Sequence, residues 1–155
     1  MNTPTSVVSG VDFISVPTRN YATAAAFYGS VLGLRCSAVY ERVPGGEFET
    51  GSLTLQLIDA DAIGREFQPH RFPIALHVAD IEAARAELES RGVSFTHALD
   101  SGACHMAFFE DPDGNALCST TATRHAGPTP DGRAISRAPT LRRRSRRRRS
   151  GRPPR

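Results

Sequence analysis

The side chains able to exchange protons or bind metal near neutral pH are few in this chain: five histidines and three cysteines among 155 residues. His105 lies in the segment Cys104-His105-Met106-Ala107-Phe108-Phe109. An imidazole there could serve as a general base, because its ordinary pKa lies close to neutrality. The plainer use is structural: in a strand His105 faces away from Met106 and Phe108, unless a bulge reverses the alternation. Cys104 has no lysine, arginine or helix start beside it to favour the thiolate, so it reads as a small buried filler. Cys36, Cys104 and Cys118 are too few and too scattered for a disulfide framework or a zinc knuckle, which makes a reducing cytoplasm the expected compartment. His70 and His97 fall in expected loops and read as surface residues.

The elements that must position these groups come in two similar sets. Residues 12–16 and 74–78 each read as a short apolar, β-branched strand. A helix follows each. Asn20 caps the first, Ala24, Phe27, Tyr28, Val31 and Leu32 recur at helical spacing, and Gly33 ends it. Asp80 caps the second, Ile81, Ala84 and Leu88 form its stripe, and Gly92 ends it. The caps are 60 residues apart and the terminal glycines 59, so the register of an internal repeat is nearly kept. Strand-like segments follow at 35–40, 47–50 and 52–58, with Pro44-Gly45-Gly46 as a turn. In the second half they are 93–97, 104–109 and 115–120, with Asp111-Pro112-Asp113-Gly114 as the tightest turn. Each half is predicted to be βαβββ, an α+β architecture with module one at 8–60, module two at 72–121 and residues 59–72 as connector.

Val11-Asp12-Phe13, Ala26-Phe27-Tyr28 with Val31-Leu32-Gly33-Leu34, and Phe108-Phe109-Glu110-Asp111-Pro112-Asp113-Gly114-Asn115 resemble the vicinal-oxygen-chelate superfamily. That superfamily includes glyoxalase I, bleomycin-resistance proteins and extradiol dioxygenases. The resemblance spans about residues 8–118. It implies paired βαβββ modules whose curled mixed sheets surround a cleft, often completed by a second subunit. It also implies metal ligands on the first and last strands of each module, at Phe13, Gln56, Pro73 and Cys118. Phenylalanine and proline offer no lone pair, and one neutral amide with one soft thiol is a poor cage for a hard divalent cation. The expectation is a site without metal or other cofactor.

A displaced divalent-metal site built on His77, Gln56 and Cys118 is the alternative, and it would make the chain a lyase or dioxygenase. The plain reading of His77 is a polar residue with a hydrogen-bond partner. In the register of the resembled family Phe13, Ser15, Met106 and Phe108 line the cleft, with polar contacts from Ser15, Gln56 and His77. Together with Cys118 these are the expected ligand-binding residues for a small organic molecule; the competing reading is that they pack the cleft shut. No catalytic residue is assigned. A homodimer is expected, since the sheets have edges a second copy can cover.

Charge divides the chain differently. Up to Cys118 there are 7 arginines against 15 acidic residues; from Ser119 onward there are 12 arginines against Asp131 alone, and lysine is absent throughout. An acidic domain, 1–121, thus precedes a basic segment, 122–155, with no apolar periodicity, which is expected to be disordered. Its arginine runs could associate non-specifically with nucleic acid by displacing phosphate counterions. The preferred reading is a frameshift. Encoding residues 118–126 with GC-rich codons and reading from the third base gives LHHRYAPR. Proteins resembling this chain continue their DPDGNALM segment in that way, so loss of one base within the Leu117 codon accounts for the change. No apolar run approaches the roughly 18 residues of a membrane helix, and no partner membrane is expected.

Overall fold

β1 (Phe13–Thr18) runs to Asn20, whose side-chain oxygen accepts from the Thr23 amide at 3.1 Å and starts α1 (Tyr21–Ala26). Where a single helix to Gly33 was expected, the chain widens into a π-helical turn, Phe27–Val31, closed by a bond from the Leu32 amide to the Phe27 carbonyl. The wider turn lets Tyr28 enter the interior while Phe27 packs edge-on against it. β2 (Arg35–Val39), β3 (Gly45–Glu49) and β4 (Thr54–Asp59) complete a sheet of order β1-β4-β3-β2, with β1 and β4 parallel and the rest antiparallel. The second module repeats this with β5 (Ile74–His77), α2 (Ile81–Ser90), β6 (Phe95–Asp100), β7 (His105–Glu110) and β8 (Ala116–Thr120), in the order β5-β8-β7-β6. Asp80 caps α2 by accepting from the Ala83 amide, and Gly92 ends it at φ +90°. This computed structural model describes residues 6–102 and 104–121, all within one compact unit, Met1–Thr123. The expected basic tail lies outside the described residues. Among the described residues no helix is long and apolar enough to cross a membrane.

The double βαβββ pattern is as expected, but one turn is not. Gly45 and Gly46 belong to β3, and the chain reverses ahead of them. Crowding explains it: a Cβ on Gly46 would meet the Tyr21 hydroxyl and lie 2.7 Å from the Ala38 carbonyl oxygen. These glycines are there for close approach of backbone and ring, not for bending.

Side chains alternate between the two faces of each sheet. Val16, Leu55, Leu57 and Phe48 face α1 from the first sheet, and Phe109 and Leu117 come from the second; with Tyr28, Ala24 and Val93 they form one buried cluster. Both modules therefore give their helix-side faces to a single core. The opposite, open faces look away from it.

What joins the modules is the turn between β7 and β8. Asp111 is buried, and its carboxylate accepts four hydrogen bonds: from the backbone amides of Asp113 and Asn115, the Asn115 side chain and the Tyr28 hydroxyl. Asn115, fully buried, also donates to the Pro17 carbonyl at the end of β1 and accepts from the His70 amide in the connector. His70, expected on the surface, is half-buried and holds the connector to β8 through both backbone groups. Asp113 reaches across to Thr18 and Arg19. A buried carboxylate with every lone pair engaged is stable where a partly satisfied one would not be.

Two outcomes follow from this architecture. The last ladder residue is Thr120, so ending the chain after Thr121 should shift the melting temperature by no more than a few degrees in about 0.15 M salt, with cooperative unfolding retained. The Tyr28 phenol is held well above its ordinary pKa, first by burial and then by the Asp111 carboxylate. The unfolded chain releases that proton at about pH 10 while the folded chain keeps it, so stability present below pH 10 is lost as pH rises beyond it. Tyr28→Phe should cost about 1–2 kcal/mol near neutrality. In urea titrations at about pH 8 and about pH 11 it should also lose less stability between the two than the parent does.

Candidate functional site

Four side chains from four segments meet on the open face of the first sheet. Ser15 in β1, Gln56 in β4 and Glu47 in β3 are register partners in one row across the sheet, and Tyr40, just beyond β2, leans over them. The Ser15 hydroxyl donates to Gln56 Oε1 at 2.7 Å, Gln56 Nε2 donates to the Tyr40 oxygen at 2.9 Å, and the Tyr40 hydroxyl donates to Glu47 Oε1 at 2.9 Å. Burial, the largest influence on Tyr40, raises its pKa and keeps the phenol protonated as a donor. One row away lie Phe13, Thr54, Glu49 and Arg35. Ser37, two residues after Arg35 and at the irregularity between Cys36 and Ala38, donates its hydroxyl to Glu49 at 2.6 Å. That bond, joined by one from Thr54 and by the Arg35 charge, holds the Glu49 carboxyl below the usual range.

The open face of the second sheet is aromatic and apolar. Register places His77, Thr120, Met106 and Leu99 in one row, and Ala75, Cys118, Phe108 and His97 in the next. His97, expected in a loop, stands in β6, and its ring lies flat on Phe108 with centroids 4.2 Å apart and planes 9° apart. The Thr96 hydroxyl, 3.0 Å from His97 Nδ1, helps to fix the ring. His105 is on the opposite face, exposed, 3.3 Å from the Asp100 carboxylate. It is remote from Met106 and Phe108 in direction although adjacent in sequence.

The residues named from the sequence are thus divided between two faces. Ser15 and Gln56 meet each other; Phe13 is a row away on the same sheet and 54% exposed. His77, Met106, Phe108 and Cys118 share the other sheet, where Cys118, at 1% exposure, backs the surface without opening onto it. Burial, the first cause, pushes its thiol pKa up. Tyr40 and Glu47 were not anticipated. Their strands were legible, but Glu47 meets Gln56 only through the β3–β4 pairing, and Tyr40 meets both after the irregularity in β2.

The donors do not suit a divalent cation at the positions the fold would use. Phe13 and Pro73 have no lone pair, both ends of the Gln56 amide are engaged by Ser15 and Tyr40, and Cys118 is buried in the other sheet. Register sets Cys118 opposite Ala75 and His77 opposite Thr120. Among the described residues no three His, Cys, Asp or Glu side chains group as metal donors.

Residues 10–118 match the family model for the glyoxalase/bleomycin resistance protein/dioxygenase superfamily, and the chain belongs to that superfamily. Among solved structures it is similar to TnmS3, an antibiotic binding protein from Streptomyces sp. CB03234, with 23% identity, TM-score 0.66, and coverage of 77% of this chain and 100% of that one. A glyoxalase family protein from Bacillus anthracis gives 22% identity and TM-score 0.66 over 76% of this chain and 98% of that one. Lactoylglutathione lyase from Agrobacterium tumefaciens gives 17% identity and TM-score 0.62 over 74% and 95%. At these identities the likeness establishes the shared fold. No curated protein sequence matches the chain.

The burial of Cys118 has a direct chemical readout. Iodoacetamide at about pH 8 should modify exposed Cys36 first and leave Cys118 unmodified until the protein is unfolded, as peptide mass mapping would show.

Proposed function

We propose that this member of the superfamily binds a small organic molecule on the open faces of its sheets, without a metal ion, and that two copies of the chain close those faces into clefts. The observation that carries the reading is the pair of dissimilar outward faces: a hydrogen-bonded polar row, Ser15–Gln56–Tyr40–Glu47, on one sheet and the His97–Phe108 stack on the other. Ligand sites combine apolar and aromatic walls with a few placed polar groups, and each face supplies one of these halves. The metal-free part rests on the donor chemistry at Phe13, Gln56, Pro73 and Cys118. TnmS3, an antibiotic binding protein of the same fold, is the neighbour whose described role fits.

The two-copy part rests on the shared core. Both helix-side faces contribute to it, and the open faces keep exposed apolar side chains. Phe13, 54% exposed, and Leu99, 49% exposed, stand uncovered on the two open faces. A two-fold axis would bring the first sheet of one copy toward the second sheet of its partner and cover both.

Elemental analysis of the purified protein should find far less than one transition metal per chain, and about one tightly held Fe, Mn, Ni or Zn would overturn the metal-free reading. Light scattering at tens of micromolar should give twice the chain mass; a monomer would remove the two-copy cleft. A thermal-shift screen of aromatic glycopeptides, thiol adducts and catechols should raise the melting temperature by several degrees for at least one class.

A further inference from the structure

We infer that the face built on Ser15, Gln56, Tyr40 and Glu47 selects a ligand carrying a protonated nitrogen that donates hydrogen bonds, an ammonium or amidinium group, with Glu47 as the residue that sets this preference. The inference rests on the ligand-binding reading above and names the chemistry of what is bound.

The direction of the hydrogen-bond chain decides it. A carboxylate has no proton to give, so Tyr40 must donate to Glu47. The Tyr40 oxygen then accepts from the NH2 end of Gln56, which turns the Gln56 carbonyl toward Ser15 and obliges Ser15 to donate. The amide orientation, commonly ambiguous between O and N, is here dictated by the acid at the end of the chain. Each hydroxyl proton is consumed inside the chain. What remains facing outward is mainly acceptor capacity: the second carboxylate oxygen of Glu47, the lone pairs of Ser15 and the spare lone pair of the Gln56 carbonyl. One N–H of Gln56 is the exception.

Charge points the same way. Glu47 is half-buried, and no basic side chain among the described residues forms an ion pair with it. Arg35, the cation on this face, is the register partner of Glu49 in the next row and contributes to holding that carboxyl ionised. An anionic ligand would meet acceptors and a like charge, whereas an ammonium or amidinium would supply the missing donors and the missing positive charge. An amidinium, planar and forked, could meet the Glu47 carboxylate with two parallel hydrogen bonds.

The test uses three probes of one shape, benzamidine, benzyl alcohol and benzoate, titrated into the full chain and followed by NMR at residues of β1, β3 and β4. The parent should bind benzamidine at least about fivefold more tightly than benzyl alcohol, with benzoate weakest. Glu47→Gln, which keeps shape and hydrogen bonding, should erase that order, and Glu66→Gln, at an exposed connector residue, should preserve it. The basic tail is common to all three proteins and cancels between them. Equal binding of the three probes, or a preference that survives Glu47→Gln, overturns the inference while leaving small-molecule binding in place. Absence of any response at this face to all three probes removes the binding reading and the inference with it.

Discussion

A single buried carboxylate, that of Asp111, conditions the rest of this structure. Its four donors come from its own turn, from Asn115 and from Tyr28 in the other module. Had any one of them been missing, a charge would sit in the core with a vacant lone pair, a cost on the order of 1–3 kcal/mol set against a total stability of about 5–15 kcal/mol. With all four present, the turn between β7 and β8 has one conformation, and Asn115 carries that order outward to β1 through Pro17 and to the connector through His70. The placement of one sheet relative to the other, and so the direction in which each open face looks, descends from this network.

The same network explains why two modules with little sequence in common behave as one body. Hydrophobic burial supplies most of the driving force, but it is non-directional and could be satisfied by many relative placements of two sheets. The polar contacts among Tyr28, Asp111, Asn115 and Pro17 are directional and accept only one. Apolar side chains such as Leu55, Leu57, Phe109 and Leu117 then close around a geometry already chosen.

Local signals were legible where they were local. Asn20 and Asp80 cap their helices, Gly33 and Gly92 end them at positive φ, and the Asp111–Gly114 turn stands where its residue types demand. What could not be read depends on neighbours distant in sequence. Gly45 and Gly46 look like turn residues until the Tyr21 ring is packed over β3. The π-helical turn after α1 has no plain mark in the sequence, and it carries Tyr28, whose hydroxyl meets Asp111 in the other module. The irregularity between Cys36 and Ala38 makes Ala38, and not Ser37, the register partner of Glu47, and Tyr40 two residues on then reaches that carboxylate. Of the site residues, Gln56 was named by the resemblance and His77 by alternation along its strand. Tyr40, Glu47 and His97 acquire their roles only through cross-strand pairing, which the sequence of one strand does not contain.

The common core has an evolutionary corollary. Because it is built from the helix-side faces of both sheets, changes on the two open faces fall outside it, and the effects of two such changes should add with little coupling. The polar face and the aromatic face can therefore drift independently, one sampling new charges while the other keeps its stacking partner. A duplicated module that had kept separate cores would allow the same drift but lose the fixed relation between the halves. By sharing one interior, the chain keeps its two faces in a fixed relation and leaves their chemistries free to diverge, so that surface chemistry can change more readily than shape.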